Sequence, residues 1–239
     1  MLNKLEKDML VLTSVCDDTA RLSVPSVFSL FMDLATEHAG ELGCDGEALA
    51  KRGLFWLVVR TKIKVISRPS IMTRLTAATW PEEAGRARCT RYYSLTADTL
   101  AVEGKSEWAV ASIENGRPQK LEGIYPDGLN FCTDKVCDEP FIKSTADFSA
   151  VEPFAYYTVR STDIDLAHHM NNAAYVRALF GAFSCEEIEK MNISEVDIAY
   201  RVPCYEGDKL SFCRVITENG LEIGVLRADK TVAATVILK

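Results

Sequence analysis

Between Ser161 and Asn172 the sequence reads STDIDLAHHMNN. It gathers two aspartates, two adjacent histidines and two adjacent asparagines in a chain of 239 residues that has only three histidines. An imidazole with an ordinary pKa near ~6.5, set beside a carboxylate, can accept and return a proton at neutral pH. Asp163 or Asp165 with His168 or His169 would make such a pair. The stretch follows the strand-like FAYYTVR and precedes a helix-like NAAYVRALFGAF that begins near Asn172. A helix N-terminus exposes unpaired backbone N–H groups, and these can hold the oxygen that turns negative when a carbonyl is attacked. Such groups near Met170 to Asn172, with the Asn171 side chain, would form that site, so the expected chemistry is acyl transfer.

Each residue also has a plainer reading. Asn172 is a good N-cap, Asp163 and Asp165 are good turn formers, Cys204 fits a buried strand end, and one histidine of the pair is filler. Adjacent histidines project in different directions and no third ligand lies at helical spacing, so neither a metal nor another cofactor is expected.

Positioning these groups requires a helix and a sheet, and the periodicities supply them twice. From Val24 to Leu42, residues Val27, Leu30, Phe31, Leu34, His38 and Leu42 share one face, with Pro25 near the start and Gly43 as a stop. This predicts a buried helix in which His38 is a satisfied core histidine. In FWLVVRTKIKVI, Thr61, Ile63 and Val65 alternate with Arg60, Lys62 and Lys64, a half-buried strand that Pro69 ends. RLTAATW, CTRYYSL and SEWAVASI add three more strands, the last two separated by a turn at Ala97 and Asp98.

The C-terminal part repeats that order: the helix near Asn172, EVDIAYRV ended by Pro203, KLSFCRVI, an Asn219-Gly220 hairpin turn, LEIGVLRAD and TVAATVIL. The fold class expected is therefore α+β, with two tandem hotdog units, each a long central helix wrapped by an antiparallel sheet. The units are placed at residues 1–121 and 152–239, with a mixed, turn-rich linker at 122–151. Two unrelated α+β lobes are the alternative.

A composition of 48% hydrophobic and 26% charged residues is that of an ordinary globular chain. Its eight cysteines are scattered without a CxxC pair, which points to a reducing, cytoplasmic compartment. The MLNKLEKDML start is broken by charge, and no apolar run approaches the ~20 residues of a membrane span, so neither export nor a membrane role is expected. A net charge of -7 argues against nucleic acid as a partner. Arg86, Arg88 and Arg91, with Lys51 and Arg52, are the local basic candidates for docking an acidic protein. A fused pair of units leaves both a monomer and a homodimer open.

The motif DIDLAHHMNN resembles the D-x-D-x-N-x-H-V-N-N motif of acyl-ACP thioesterases, which hydrolyse fatty acyl chains from acyl carrier protein. LATEHAGELG, FWLVVRTKIKVISRP and TWPEEAGRARCTRYY are similar to the family in the same order, so the likeness spans most of the chain. It implies a double hotdog whose N-terminal unit shapes the acyl-chain pocket and whose C-terminal unit carries the catalytic groups, with Asp165 and His169 in the family's aspartate and histidine positions. Phe55 and Trp56 are then candidates for lining the pocket, and Asn172 for contacting the substrate. The implied reaction releases free fatty acid and holo-ACP, with carrier protein as partner.

Two of the family's polar groups are absent. Its asparagine falls on Ala167, and the glutamate of its YRREC segment falls on Pro203 of YRVPC, where Cys204 keeps the cysteine. With the glutamate absent, the resemblance implies one of two arrangements: His169, oriented by Asp165, as base on water, or Cys204 as nucleophile with His169 as its base. The alternatives are an acyl-CoA thioesterase, a hotdog hydratase or dehydratase using the Asp163-x-x-x-x-His168 spacing, and an acyl-binding protein without catalysis.

Overall fold

The computed structural model describes residues 3–239, so Met1 and Leu2 of the MLNKLEKDML stretch lie outside the described residues. Two compact units divide after Glu139. In the first, β1 (Leu5–Leu10) leads through a single 3-10 turn, Thr13–Val15, into α1 (Val24–Glu41), followed by the short α2 (Gly46–Ala50). The strands are β2 (Leu54–Val65), β3 (Arg74–Pro81), β4 (Cys89–Thr96), β5 (Leu100–Ser112) and the two-residue β6 (Pro118–Gln119). All pair antiparallel, in the order β1-β3-β4-β5-β2, with β6 on β5.

The helix α1 starts where Ser23 Oγ accepts the Ser26 N–H and Pro25 occupies the first turn, a position that needs no donor. Val27, Phe31, Leu34 and His38 on its inner face are buried. Phe31 stacks on Tyr93 with ring centroids 4.4 Å apart. The ring also lies over Gly104, where an added Cβ would stand 2.5 Å from Phe31 and 2.8 Å from the Lys62 carbonyl. Glycine there lets the helix sit down on the sheet.

The strict alternation read in β2 fails at Lys62. It is 2% exposed, and Lys105, opposite it in the register, is 7% exposed. The Lys105 ammonium donates to the carbonyls of Asp138 and Glu139, at 3.3 and 2.6 Å. An ammonium satisfied by distant carbonyls leaves no mark in local periodicity.

The second unit repeats the plan. It consists of β7 (Ala155–Thr158), a 3-10 turn at Ser161–Asp163, α3 (Asn172–Phe180), α4 (Cys185–Met191), β8 (Glu195–Tyr200), β9 (Lys209–Thr217), β10 (Gly220–Arg227) and β11 (Val232–Leu238). Its strand order, β7-β9-β10-β11-β8, follows the same path as β1-β3-β4-β5-β2. The second helix is the shorter, nine residues against eighteen, and ends at Gly181. Asn219-Gly220 forms the expected turn: Gly220 has φ 121°, and a Cβ there would meet the Leu238 carbonyl at 2.5 Å.

Residues 122–151 contain no helix or strand, yet they are packed down. Ile124, Cys137 and Phe148 are buried, Trp80 Nε1 donates to the Asp134 carbonyl at 2.8 Å, and the Phe148 ring covers Gly224. Within the second unit the fully buried Glu222 carboxylate gathers this segment. It accepts from Ser144 Oγ, Thr145 N–H and Oγ1, Ala146 N–H, Thr217 Oγ1 and Asn219 Nδ2. Burial alone would raise its pKa, but these donors hold it down at about 2. No helix among the described residues is long and apolar enough to cross a membrane.

Candidate active site

The loop from Arg160 to Asn171 is built on backbone hydrogen bonds. The Asp165 N–H donates to His169 O at 3.0 Å and the His168 N–H to Asp165 O at 3.0 Å, which closes a tight turn. His168 takes φ 60° to make it, a left-handed conformation unusual for a side chain of its size. The Met170 N–H donates to Cys204 O at 2.7 Å, so the segment entering β9 is tied to the loop. The Asn171 N–H donates to Asp163 O at 2.8 Å.

Within this frame His169 Nδ1 stands 3.8 Å from Asp165 Oδ1, with the two side chains 21% and 26% exposed. Asp165 Oδ1 also accepts the Ala167 N–H at 2.8 Å. The Nδ1 edge of the imidazole thus faces the carboxylate at ion-pair range, beyond hydrogen-bond length.

Asp163 plays a different part. Its buried carboxylate accepts from the Tyr157 hydroxyl and the Arg160 N–H, each at 2.8 Å, and closes the 3-10 turn. It is used up in structure while His168 is exposed, so the Asp163–His168 spacing of a hydratase is not a working pair here.

The cap of α3 falls one residue earlier than the plain reading placed it. Asn171 Oδ1 accepts the Ala173 N–H at 2.8 Å, which fixes the Asn171 amide at the helix start. The Met170 and Asn171 N–H groups, read as oxyanion donors, already have acceptors. The available donor is Asn172 Nδ2, which is buried and has no hydrogen-bond partner. A buried amide left without an acceptor costs roughly 1–3 kcal/mol, a cost that a ligand oxygen would remove. The Asn172 carbonyl is held by the Tyr200 hydroxyl at 3.0 Å, and Tyr200 packs edge-on against Tyr175.

Cys204 is fully buried. Burial raises its thiol pKa, against a hydrogen bond with Tyr175 that lowers it, so the thiol stays protonated at neutral pH.

In the first unit, Trp56 donates through Nε1 to the Cys44 carbonyl at 2.8 Å and packs edge-on against Trp108, over a cluster that includes Ala39, Leu42 and Leu49. Phe55 and Trp56 are successive residues of β2, so they point to opposite faces and do not line one wall. Arg91 is not a surface cation. It is 5% exposed and its guanidinium donates to His38 Nδ1 at 3.0 Å and to Thr79 Oγ1 at 3.3 Å. Burial first, and then the Arg91 charge, push His38 down to about 4. Arg86, Arg88, Lys51 and Arg52 are exposed. Glu103, Cys137 and Glu139 lie close enough to share a metal ion, but Lys64 pairs with both carboxylates and burial lifts the Cys137 thiol to about 12, a poor ligand set.

The first unit holds a second copy of the whole loop. Asp17 N–H donates to Arg21 O, Ala20 N–H to Asp17 O, Leu22 N–H to Pro69 O and Ser23 N–H to Val15 O. These match, bond for bond, Asp165 to His169, His168 to Asp165, Met170 to Cys204 and Asn171 to Asp163. Ala20 has φ 55° where His168 has 60°, and Ser23 caps α1 as Asn171 caps α3.

The side chains differ. Arg21 stands in place of His169, Thr19 in place of Ala167, Asp18 in place of Leu166 and Arg68 in place of Pro203. Asp17 is saturated by Thr19 N–H and Oγ1 and by Arg68, whereas Asp165 keeps a carboxylate directed at an imidazole. The repeat of helix and strands was legible in the sequence, but this loop was missed. An aspartate six residues before a helix cap, in both units, was the available signal.

Residues 3–125 match the acyl-ACP thioesterase N-terminal domain and residues 149–232 the acyl-ACP thioesterase C-terminal domain. The chain belongs to the acyl-ACP thioesterase family. The family fold is also seen in solved relatives. An acyl-ACP thioesterase from Bacteroides thetaiotaomicron superposes with a TM-score of 0.84 at 20% identity, covering 99% of this chain and 98% of that one. The 12:0-ACP thioesterase from Umbellularia californica superposes at 0.78 with 17% identity, covering 99% and 96%.

Among curated acyl-ACP thioesterases, an acyl-[acyl-carrier-protein] hydrolase, chloroplastic, of Cuphea viscosissima is 20% identical over 87% of this chain and 57% of its own length. Oleoyl-acyl carrier protein thioesterase 1, chloroplastic, of Arabidopsis thaliana is 22% identical over 87% and 62%. The chain thus spans little more than half the length of these curated relatives.

Proposed function

We propose that this protein hydrolyses the thioester of fatty acyl-ACP, releasing free fatty acid and holo-ACP in the cytoplasm. One observation carries the reading: the Asp165–His169 pair stands at the start of α3, where Asn172 Nδ2 is a buried donor without an acceptor. Membership of the family supplies the substrate class.

Sulfur donates weakly into the carbonyl and leaves as a thiolate, so the reaction needs an activated water, a donor for the oxyanion and an acid for the leaving group. His169, with Nδ1 turned toward Asp165, takes a proton from water at Nε2 as the water attacks the thioester carbon. The carbonyl oxygen becomes an oxyanion and is held by Asn172 Nδ2. Collapse breaks the C–S bond, and the imidazolium returns its proton to the departing thiolate. Asp165 stabilises the imidazolium meanwhile.

This route uses neither the family asparagine, replaced by Ala167, nor its glutamate, replaced by Pro203. Water attack is favoured over attack by Cys204 because that thiol is buried and held protonated. The first unit would supply the acyl-chain pocket, with Trp56 on its apolar cluster.

The test is fatty acid release from acyl-ACP and acyl-CoA across chain lengths, followed by mass spectrometry. Replacing His169 by Ala should cost on the order of 10²–10⁴-fold in kcat, the usual contribution of a general base. Release that survives at full rate in His169→Ala would remove this histidine from the mechanism. Absence of release from every thioester would point to acyl binding without turnover.

A further inference from the structure

The duplicated loop gives an internal control for what its backbone demands of its side chains. The demand is slight. The same hydrogen bonds form over Asp18, Thr19 and Arg68 in one unit and over Leu166, Ala167 and Pro203 in the other. In the first copy the Arg68 side chain reaches back to Asp17 and to Thr19 Oγ1, and in the second the Cys204 carbonyl, next to Pro203, accepts the Met170 N–H, which ties the Pro203 segment to the loop.

The loop that carries the histidine has thus exchanged three polar crown residues for apolar ones, and it leaves them in solvent. Leu166 is 100% exposed, Ala167 and Pro203 are exposed, and Tyr205, next to Cys204 in the loop between β8 and β9, is 49% exposed. A single exposed leucine is ordinary. An apolar crown on one of two otherwise matched loops, the one with the histidine, calls for an occupant.

The charges around it indicate which. Arg160, at the head of the loop, and Arg201, two residues before Pro203, are both exposed; the Arg160 guanidinium lies over the Tyr157 ring, 5.8 Å from its centroid, and among the described residues neither arginine is ion-paired with a carboxylate. Asp208 in the adjacent turn is partnered by Arg227 at 3.7 Å, which leaves Glu206 as the exposed acid of that turn. In a chain with a net charge of -7, exposed apolar residues with two exposed arginines close by in the sequence suit an acidic protein with an apolar face.

We propose that Leu166, with Ala167 and Pro203, is the seat on which the acidic carrier protein lands as it delivers its thioester, and that Arg160 and Arg201 grip its carboxylates. This rests on the reading of the site as an acyl-ACP thioesterase. It also gives a use to the two positions where the family's polar residues are missing: they form part of the landing surface.

The experiment measures two quantities on the full chain, wild type against Leu166→Glu and against Arg160→Glu/Arg201→Glu. One is the Kd for an acyl-ACP whose thioester is replaced by a non-hydrolysable thioether, by calorimetry. The other is kcat/KM for one acyl group carried on ACP and on N-acetylcysteamine. Each variant should weaken acyl-ACP binding by about tenfold or more, and should lower kcat/KM on acyl-ACP at least tenfold further than on the N-acetylcysteamine thioester.

Equal losses on both thioesters, or a Kd within about twofold of wild type, would overturn the proposal. If the wild type turns over no thioester but binds the thioether analogue in a Leu166-dependent way, the catalytic reading falls and the docking surface stands. Leu166→Ser, which removes the apolar contact without adding charge, should give a smaller loss of the same kind. A Kd unchanged in Leu166→Ser would place the whole effect on charge and refute the apolar seat.

Discussion

At the scale of single residues the candidate loop separates groups that the proposed mechanism uses from groups that hold shape. Asp163, Asn171 and Cys204 belong to the second kind. The first two saturate backbone donors, and the third lends its carbonyl to Met170 while its thiol stays buried. Cys204→Ala should therefore keep kcat for thioester hydrolysis within a few-fold of wild type, with a stability loss of about 1–2 kcal/mol for the small cavity. Steady-state kinetics beside denaturant melts separates the two effects, and complete loss of turnover in a folded Cys204→Ala protein would return the nucleophile to Cys204.

The sequence pointed to Asp165 and His169 through the likeness of DIDLAHHMNN to the family motif, which is a local pattern. The competition for donors that spends Asn171 and leaves Asn172 Nδ2 free was not legible, since it depends on which residue begins the helix. Arg91 was misread for a similar reason: its partners His38 and Thr79 are reached only once strand and helix are packed.

At the scale of elements, the strands and both main helices could be read from periodicity and from the Pro69, Pro203 and Asn219-Gly220 punctuation. β1 was missed because charged LEKDML carries no apolar alternation, although Leu5–Leu10 pairs along β3 for its full length. The 122–151 segment was read as a linker because it lacks periodicity. Its order comes from long-range contacts, above all the Glu222 carboxylate in β10.

That carboxylate gives an acid-sensitive tie. Its folded pKa of about 2 lies below the ordinary value of 4.5, so the stabilisation is complete above the ordinary value and is lost as pH falls from there toward the folded value. Glu222→Gln should destabilise the protein by about 2–3 kcal/mol at neutral pH, because the amide offers a donor where several donors need an acceptor. The loss should shrink toward pH 3. Chemical denaturation at the two pH values tests this, and a pH-independent difference would mean that the charge of Glu222 is not what holds the segment.

For the whole molecule, His38 supplies a second and separate dependence on acidity. Held at about 4 by burial and by Arg91, it stays neutral in the folded chain while an unfolded chain would protonate near 6.5. The unfolded state therefore binds the extra proton between those values, and stability falls as pH drops through that window, by about 2 kcal/mol from pH 6.5 to pH 5. His38→Gln, which keeps an acceptor for Arg91, should flatten that slope. An identical pH profile in wild type and variant would show that His38 does not titrate as its burial implies.

The two loops that share one backbone have a consequence for inheritance as well as for chemistry. A protein assembled from identical single units would have to place the same residue in every copy, so a change that closed one loop with an arginine would close them all. Joining the units in one chain lifts that constraint. Arg68 can clasp Asp17 in one loop while Pro203 leaves Asp165 open in the other, and each loop becomes free to drift toward its own task.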